Sequence, residues 1–254
     1  FEALGYKHRL IQGMKSYNGV AILSRVPFRA VSVHHRCGKE DCRHVEVALD
    51  VGGDPILLDK FNAGDHLGAL SESNRAEALT RVLYPADSSP AGQELRLRQE
   101  YFFSSASLQD IVRRHIQYFG DVRTLPDKAA IQLNDTHPAV SVAELMRILV
   151  DEHDQSWDAA WRITNATLSY TNHTLLPEAL ESWPVSLLNR LLPRHLQIIY
   201  EINQKFLDEV RHREPGDVDK LRRLSIIDED QGRRVRMAYL AIVGSHTVNG
   251  VSEI

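Results

Sequence analysis

A mostly helical α/β fold is what the sequence predicts, and three observations predict it. Past residue 55, apolar residues recur at helical spacing through five segments. Two short apolar runs, 129–133 and 237–243, have the length of buried strands. Before residue 50, the segments 18–26 ("NGVAILSRV") and 44–49 ("HVEVAL") are rich in β-branched and aliphatic residues and bounded by Gly, Pro and Asp, so both read as strands.

In chain order, Asn18-Gly19 and Val26-Pro27 supply turn chemistry around the first strand. The stretch "DVGGDP", 50–55, with two glycines, two aspartates and a proline, is the linker candidate. A change of charge falls at the same place: residues 1–53 hold eight Lys/Arg against five Asp/Glu, whereas the remaining 201 residues hold 22 against 29. Helices are expected over 69–84, 107–118, 142–152, 157–170 and 193–213. The last has the plainest signal, with Leu196, Ile199, Ile202, Phe206 and Val210 on one stripe, Pro193 at its start and Pro215-Gly216 at its stop. "LYPADSSPAGQE", 83–94, reads as a long loop between helices, either a functional lid or a solvated connection.

Two polar knots interrupt this pattern. In "AAIQLNDTHPAV", 129–140, an apolar run stops at Asn134, Asp135, Thr136 and His137 before Pro138. Such residues cap helix starts, and strand-to-helix loops of α/β proteins also hold ligands, so both readings stand. Ser141 and Glu144 have capping-box spacing just ahead of Leu145, Ile148 and Leu149. The second knot, Tyr170 to Thr174, lies between a helix and Pro177 and reads as a connecting loop whose polar groups bond backbone.

Hydrophobic residues make up 43% and charged residues 25% of the 254, ordinary for a soluble globular protein. A net charge of −4 argues against general affinity for nucleic acid or acidic membranes. No stretch approaches the ~20 apolar residues of a membrane span, and "FEALGYKHRL" lacks a signal-peptide core. Two cysteines suggest no disulfide framework and a reducing cytoplasm. The missing initiator Met and the abrupt end at "VNGVSEI" make the chain read as a piece of something longer.

His34, His35, Cys37, Cys42 and His44 crowd together, but a single C-x4-C without a second pair lacks the knuckles of structural zinc, so they read as ordinary thiols and imidazoles with no metal. Arg113-Arg114 and Arg233-Arg234 are basic pairs able to meet phosphate, though most such pairs are solvated surface. Phosphate-loop, dinucleotide-binding, nucleophile-elbow and H-E-x-x-H motifs are absent. These readings leave no complete catalytic constellation.

Three longer stretches carry a resemblance: "FNAGDHLGALSESNRAEALTRVLYPADSSPAGQELRLRQEYFFSSASLQDIVRRH", "AIQLNDTHPAVSVAELMRILVDE" and "YTNHTLLPEALESWPVSLLNRLLPRHLQIIYEINQKFLDEV". With the ending "GSHTVNGVSEI", they resemble glycogen (α-glucan) phosphorylases of the bacterial type from about residue 54 to residue 254. The resemblance implies a cytoplasmic, homodimeric, pyridoxal-phosphate enzyme of the GT-B glycosyltransferase type. Such enzymes cleave terminal α-1,4-linked glucose with inorganic phosphate and release glucose 1-phosphate. Their active site lies between two Rossmann-like lobes, and this segment resembles part of the N-terminal lobe only.

By the same resemblance Asp135 and His137 lie beside the glucan cleft, their knot both capping its helix and facing acceptor sugar. His173 corresponds to a histidine whose backbone carbonyl bonds the 6-hydroxyl of the reacting glucose, with Thr174 in the same loop. Asp87 falls in the gate loop, where Ser88 and Ser89 replace the Asn and aromatic residue of regulated enzymes. Arg113 and Arg114 correspond to an effector-phosphate pair of regulated members. The E-x-x-G-T-x-N-M-K-type stretch bearing the cofactor lysine is absent, and none of the seven lysines has that context. The implied reading is a phosphorylase fragment inactive alone; the alternative is a residual α-glucan-binding or partner-binding module.

Residues 1–50 fit that family poorly. "LGYKHRLIQGMKSYNGVAILSRVPF" and "GKEDCRHVEVAL" resemble the exonuclease III group of abasic-site endonucleases, which would make the chain a mosaic of a β-rich 1–53 and a phosphorylase-like 54–254. A nuclease fragment is the third reading. The metal-binding Glu, catalytic Asp/Asn pair and closing His of that group lie outside the resembling stretch, so no magnesium-dependent incision of an abasic duplex is expected. Cleavage by the purified chain, read on a denaturing gel, would contradict this.

Overall fold

The computed structural model describes residues 8–13, 19–24, 28–33, 45–49, 60, 62–174, 176, 180–230 and 232–251. These fall into two units, residues 1–78 and 79–254. The His34–Cys37–Cys42–His44 cluster and the linker 50–55 lie outside the described residues.

In the first unit, β1 (His8–Gly13) pairs antiparallel with β2 (Gly19–Ser24), and β3 (Phe28–Val33) with β4 (Val45–Leu49). Strands β2 and β4 stand where 18–26 and 44–49 predict them. A short helix α1 (His66–Ala69) follows, its cap Asp65 accepting from Gly68 N at 2.9 Å. The helix expected over 69–84 is α2 (Ser71–Arg81).

The second unit opens on α3 (Pro90–Phe119), a 30-residue helix that takes in the end of the expected loop 83–94 and begins 17 residues ahead of the helix expected from 107. Local chemistry sets its ends: Ser89 Oγ accepts from Gly92 N at 3.1 Å, Pro90 occupies the first turn, and Gly120 closes it at φ 77°. Periodicity conceals the first half because its inward stripe carries Gln99, Glu100, Ser104 and Ser105 alongside Leu97. A 3-10 turn and the short α4 (Leu125–Lys128) lead to β5 (Ile131–Asn134). Next come α5 (Ser141–Arg147), continued by a π turn over Ile148–Glu152, and α6 (Trp157–Thr167). The helix expected to reach 170 ends at Thr167, whose Oγ1 donates to Ile163 O at 2.7 Å. Leu168–Asn172 is instead strand β6, so most of the second polar knot is a strand end and not a helix-connecting loop.

Beyond β7 (Ser182–Pro184) lie α7 (Val185–Leu191), α8 (Pro193–Arg213), α9 (Val218–Leu224), β8 (Ile227–Asp228) and β9 (Arg234–Arg236). Helix α8 has the predicted bounds, and Leu196, Ile199 and Ile202 of its stripe are buried. The run 237–243, expected as a strand, is helix α10 (Met237–Val243). Seven apolar residues carry no decisive period. Packing settles it: Met237, Ala238, Leu240 and Ala241 share a buried face while Ile242 is exposed. Strand β10 (Thr247–Gly250) closes the chain.

Two sheets result. β10, β6 and β5 form a parallel sheet with β6 in the middle, and β7, β9 and β8 form a small antiparallel one. Mixed α/β architecture with a parallel sheet is as predicted. Helix α5 is buried from Ser141 to Met146 and packs against α3, α6 and α8. It therefore carries a charge into the core. Glu144, with no exposed surface, accepts hydrogen bonds from Ser105 Oγ of α3 (2.7 Å), from Arg147 (2.8 and 2.9 Å) and from His195 of α8. The capping-box reading of Ser141 and Glu144 fails for this reason: Val140 is the N-cap, no side chain caps the helix, and Glu144 turns inward.

Burial alone would raise the Glu144 carboxyl, but hydrogen bonds from Arg147, His195 and Ser105 outweigh it and hold the group at about 2. A depressed carboxyl stabilises the fold above the ordinary glutamate range, and that contribution is lost as pH falls toward about 2. Glu144→Gln should cost about 3 kcal/mol in urea unfolding at pH 7, because Arg147 and His195 lose their buried partner. Asp151→Asn, which removes the exposed partner of Arg194, should cost under ~1 kcal/mol.

Candidate functional site at the strand ends

In open α/β sheets, ligands gather beyond the carboxyl ends of parallel strands. Both polar knots lie there. Asp135 follows β5 with φ 64°, a left-handed conformation that Asp tolerates better than most residues. Its N–H continues the ladder to Thr171 O at 2.9 Å, and its Oδ1 accepts from Thr136 N at 2.7 Å. The knot does not cap the helix, which starts only at Ser141. It is a turn that holds Asp135 and His137 at the strand end.

The second knot is tied to the first. His173 Nε2 hydrogen-bonds Asn134 Oδ1, linking the ends of β6 and β5. Gln132 Nε2 donates to Thr171 Oγ1 at 2.7 Å, which donates on to Asn249 Oδ1 at 3.0 Å, so one chain of bonds crosses all three strands. Thr174 N donates to Asn172 Oδ1 at 3.1 Å, and Asn172 Nδ2 to the Tyr170 hydroxyl at 3.0 Å. Burial raises the Tyr170 phenol.

His137 and His173 nevertheless open onto different concavities. A cavity of about 310 Å³ is lined by Tyr84, Glu100, Ser104, Asn134, His137 and Ser141. A wider one, about 730 Å³, is lined by Tyr170, Asn172, His173, Thr174, Tyr239 and Asn249. Among the described residues, neither lining contains a lysine or an arginine. Amides, hydroxyls, imidazoles and aromatic faces suit a polyhydroxylated ligand far better than a phosphate, which needs cations or free N–H groups.

Asp87 lies in the loop between α2 and α3, about half exposed, with Arg96 Nη1 at 3.4 Å. Arg96 also stands 3.6 Å from Glu100 and 3.4 Å from Glu181, and its guanidinium lies 5.8 Å from the Tyr84 ring centre. The His137 ring packs on the same tyrosine at 4.4 Å. Burial first, then Glu100, raises the Tyr84 phenol. Arg113 and Arg114 are not part of this assembly. They lie farther down α3, about 25 Å from Arg96 at helical rise, and both pair with Asp110, Arg114 at 2.7 Å.

Sequence reading missed Arg96, Glu100 and Glu181. The available signal was Glu100 itself, on the inward stripe of α3 with Leu97, Ser104 and Leu108.

Comparisons with known proteins establish the family. The family model described as carbohydrate phosphorylase matches residues 51–254, and the chain belongs to that family. It is 56% identical over 195 residues to the glycogen phosphorylase of Synechocystis sp., covering 77% of this chain and 23% of the relative. To the brain form of human glycogen phosphorylase it is 58% identical over 205 residues, covering 78% and 24%. To glycogen phosphorylase 2 of Dictyostelium discoideum it is 55% identical over 199 residues, covering 78% and 20%. The chain thus spans about a quarter or less of the length of these relatives. Among the described residues no helix is long and apolar enough to cross a membrane.

The Asp87 loop depends on one glycine. A Cβ at Gly92 would meet Ala86 O at 2.0 Å, a backbone atom that cannot swing away. Gly92→Ala should displace the loop, destabilise the fold by about 1–3 kcal/mol, and shift the backbone amide resonances of 84–89 while leaving those of β5 and β6 in place.

Proposed function

We propose that this chain is part of the N-terminal, Rossmann-like lobe of an α-glucan phosphorylase. In that role it forms the sugar side of a cleft in which terminal α-1,4-linked glucose reacts with inorganic phosphate to give glucose 1-phosphate. The observation that carries the proposal is the pair of polar knots at the parallel-strand ends, which present hydroxyl, amide and imidazole groups to largely apolar cavities with no lysine or arginine among the described residues that line them. Asp135, His137, His173 and Thr174 would meet sugar hydroxyls, and Asp87 would ride on the loop that covers them. Geometry of this kind orients a sugar; it supplies neither a phosphate clamp nor a proton relay.

The family's cofactor, pyridoxal phosphate, does not fit the described residues of this chain. A Schiff-base lysine sits desolvated in a pocket, and a cofactor phosphate needs cations. Lys60 is exposed, Lys128 lies over the Phe119 ring, Lys205 pairs with Asp158, and Lys220 with Glu214; none lines either cavity. We infer that the cofactor and the substrate phosphate are held by parts of the longer protein outside this chain. Cytoplasmic location and homodimer formation belong to the same proposal.

An effector-phosphate role for Arg113 and Arg114 would require displacing Asp110 from both guanidinium groups. Residues 1–53 are proposed as a separate β unit of exonuclease III-like sequence. Two antiparallel strand pairs and a family match that begins at residue 51 support that boundary, although the compact unit that holds the strands runs on to residue 78.

The isolated chain, incubated with pyridoxal phosphate and desalted, should keep no cofactor absorbance and should form no glucose 1-phosphate from maltodextrin and phosphate. Supplying the remainder of a phosphorylase as a separate polypeptide should restore turnover, and Asp135→Ala should lower it. Turnover by the isolated chain that disappears with Asp135→Ala would overturn the proposal.

A further inference from the structure

Beneath the Asp87 loop, two carboxyl groups share a buried place with one guanidinium. The Glu100 side chain is 3% exposed, that of Glu181 9% and that of Arg96 19%. All four carboxylate oxygens are buried without a hydrogen-bond partner, as are Arg96 Nε, the Trp183 indole Nε1 and His137 Nδ1. Arg96 Nε stands 3.6 Å from one carboxyl and 3.4 Å from the other, close enough to attract both and bonded to neither. Groups this well buried are normally satisfied, so the arrangement calls for something more.

We propose that Glu100 and Glu181 hold one proton between them at neutral pH, and that this proton keeps the seam between α3 and β7 closed beneath the Asp87 loop.

Charge supports the count of one. Arg96 serves both buried carboxylates and the half-exposed Asp87 as well, so the two buried carboxylates keep at least one uncompensated negative charge, which costs several kcal/mol. One proton removes it. Hydrogen bonding agrees, since a neutral carboxyl turns one of four unpaired acceptors into a donor for its neighbour. A divalent cation fits less well. One atom from each of Glu100, His137 and Glu181 lies within 4.8 Å of the others, near enough to share an ion, but charge argues against it. Two added charges would leave an excess of +1 beside Arg96.

The groups that face the pair are Arg96 and Tyr84 from α3 and the loop before it, Asp87 from the same loop, His137 beyond β5, and the neutral Trp183 of β7. Burial is the largest influence on both carboxyls and pushes both up; for Glu100 the facing Glu181 adds to the rise. A raised folded-state value contributes stability in full below the ordinary glutamate range and loses it as pH rises. The wild type therefore weakens from mildly acidic pH into the alkaline range, where the pair gives up its proton, the two carboxylates repel and the seam opens.

The test is carbon-13 NMR of the full chain labelled at glutamate carboxyl carbons, with resonances assigned by Glu100→Gln and Glu181→Gln. In the wild type at pH 7, the pair should show one neutral carboxyl in total, and both resonances should move together at alkaline pH. The indole N–H resonance of Trp183 should shift in the same titration. In Glu181→Gln the facing carboxyl is gone, so Glu100 should ionise at a lower pH than the wild-type pair, and the Trp183 shift should move down with it. Between the two titrations, the wild-type folding constant should fall about tenfold per pH unit relative to Glu181→Gln. Two fully ionised carboxyls in the wild type at pH 7 would overturn the proposal, and the wild-type spectrum decides this even where a variant does not fold. Stoichiometric zinc bound by the wild type and not by Glu181→Gln, with both carboxyls ionised, would overturn it in favour of a metal ion.

Discussion

Glu144 is a full negative charge with no exposed surface, and the second unit is arranged around keeping it satisfied. Its oxygens are met from three helices: Ser105 on α3, Arg147 on its own helix α5, and His195 on α8. A hydrophobic core tolerates sliding and repacking at modest cost. A buried carboxylate does not, because a displacement of one ångström breaks a charge-assisted bond where no water can replace it. The network therefore specifies how α3 and α8 lie across α5. It also explains why a seven-residue helix can occupy the centre of the unit: its apolar faces fill the space, and its one charge sets the register.

The strand ends inherit that order. β5 enters the layer directly before α5, so the turn at Asp135 to Pro138 is clamped between a strand held by the sheet and a helix held by the core. This lets Asp135 keep a left-handed backbone and lets His173 reach Asn134 across the strand ends. Asp87 reaches the same neighbourhood by another route, through Arg96 on the first turns of α3. Two anchoring schemes meet there: a neutral hydrogen-bond lattice across the strand ends, and a set of buried ionisable groups under the loop. The first presents amides, hydroxyls and an imidazole, and the second is centred on the Arg96 guanidinium.

Which elements were legible depended on how purely each residue served one role. In α8 the apolar stripe through Leu196, Ile199 and Ile202 faces the core and its N-terminal and C-terminal signals are unambiguous, so its bounds agree with the sequence reading. In α3 the inward stripe is interrupted by Gln99, Glu100, Ser104 and Ser105, residues whose burial depends on distant partners such as Glu144 and the backbone of Leu79 and Val82. The first half of that helix was consequently read as loop. Glu144 was taken for half of a capping box because its spacing from Ser141 is right; only the approach of His195, 51 residues later, turns it inward.

The sequence by itself determined the α/β class, the start and stop of α8, the positions of both polar knots and the membership of the phosphorylase family. All of these rest on local spacing or on motifs read along the chain. Tertiary structure alone decided that 237–243 is a helix, because seven apolar residues suit either element until Val142 and β6 supply the surface they pack on. It alone decided that Leu168–Asn172 leaves its helix to become the central strand, since that pairing needs β5 and β10 on either side. It also brought Glu100 and Glu181 together under Arg96. Interactions between residues distant in the chain leave no period in it, and the energy of a buried charge depends on which other charges arrive beside it.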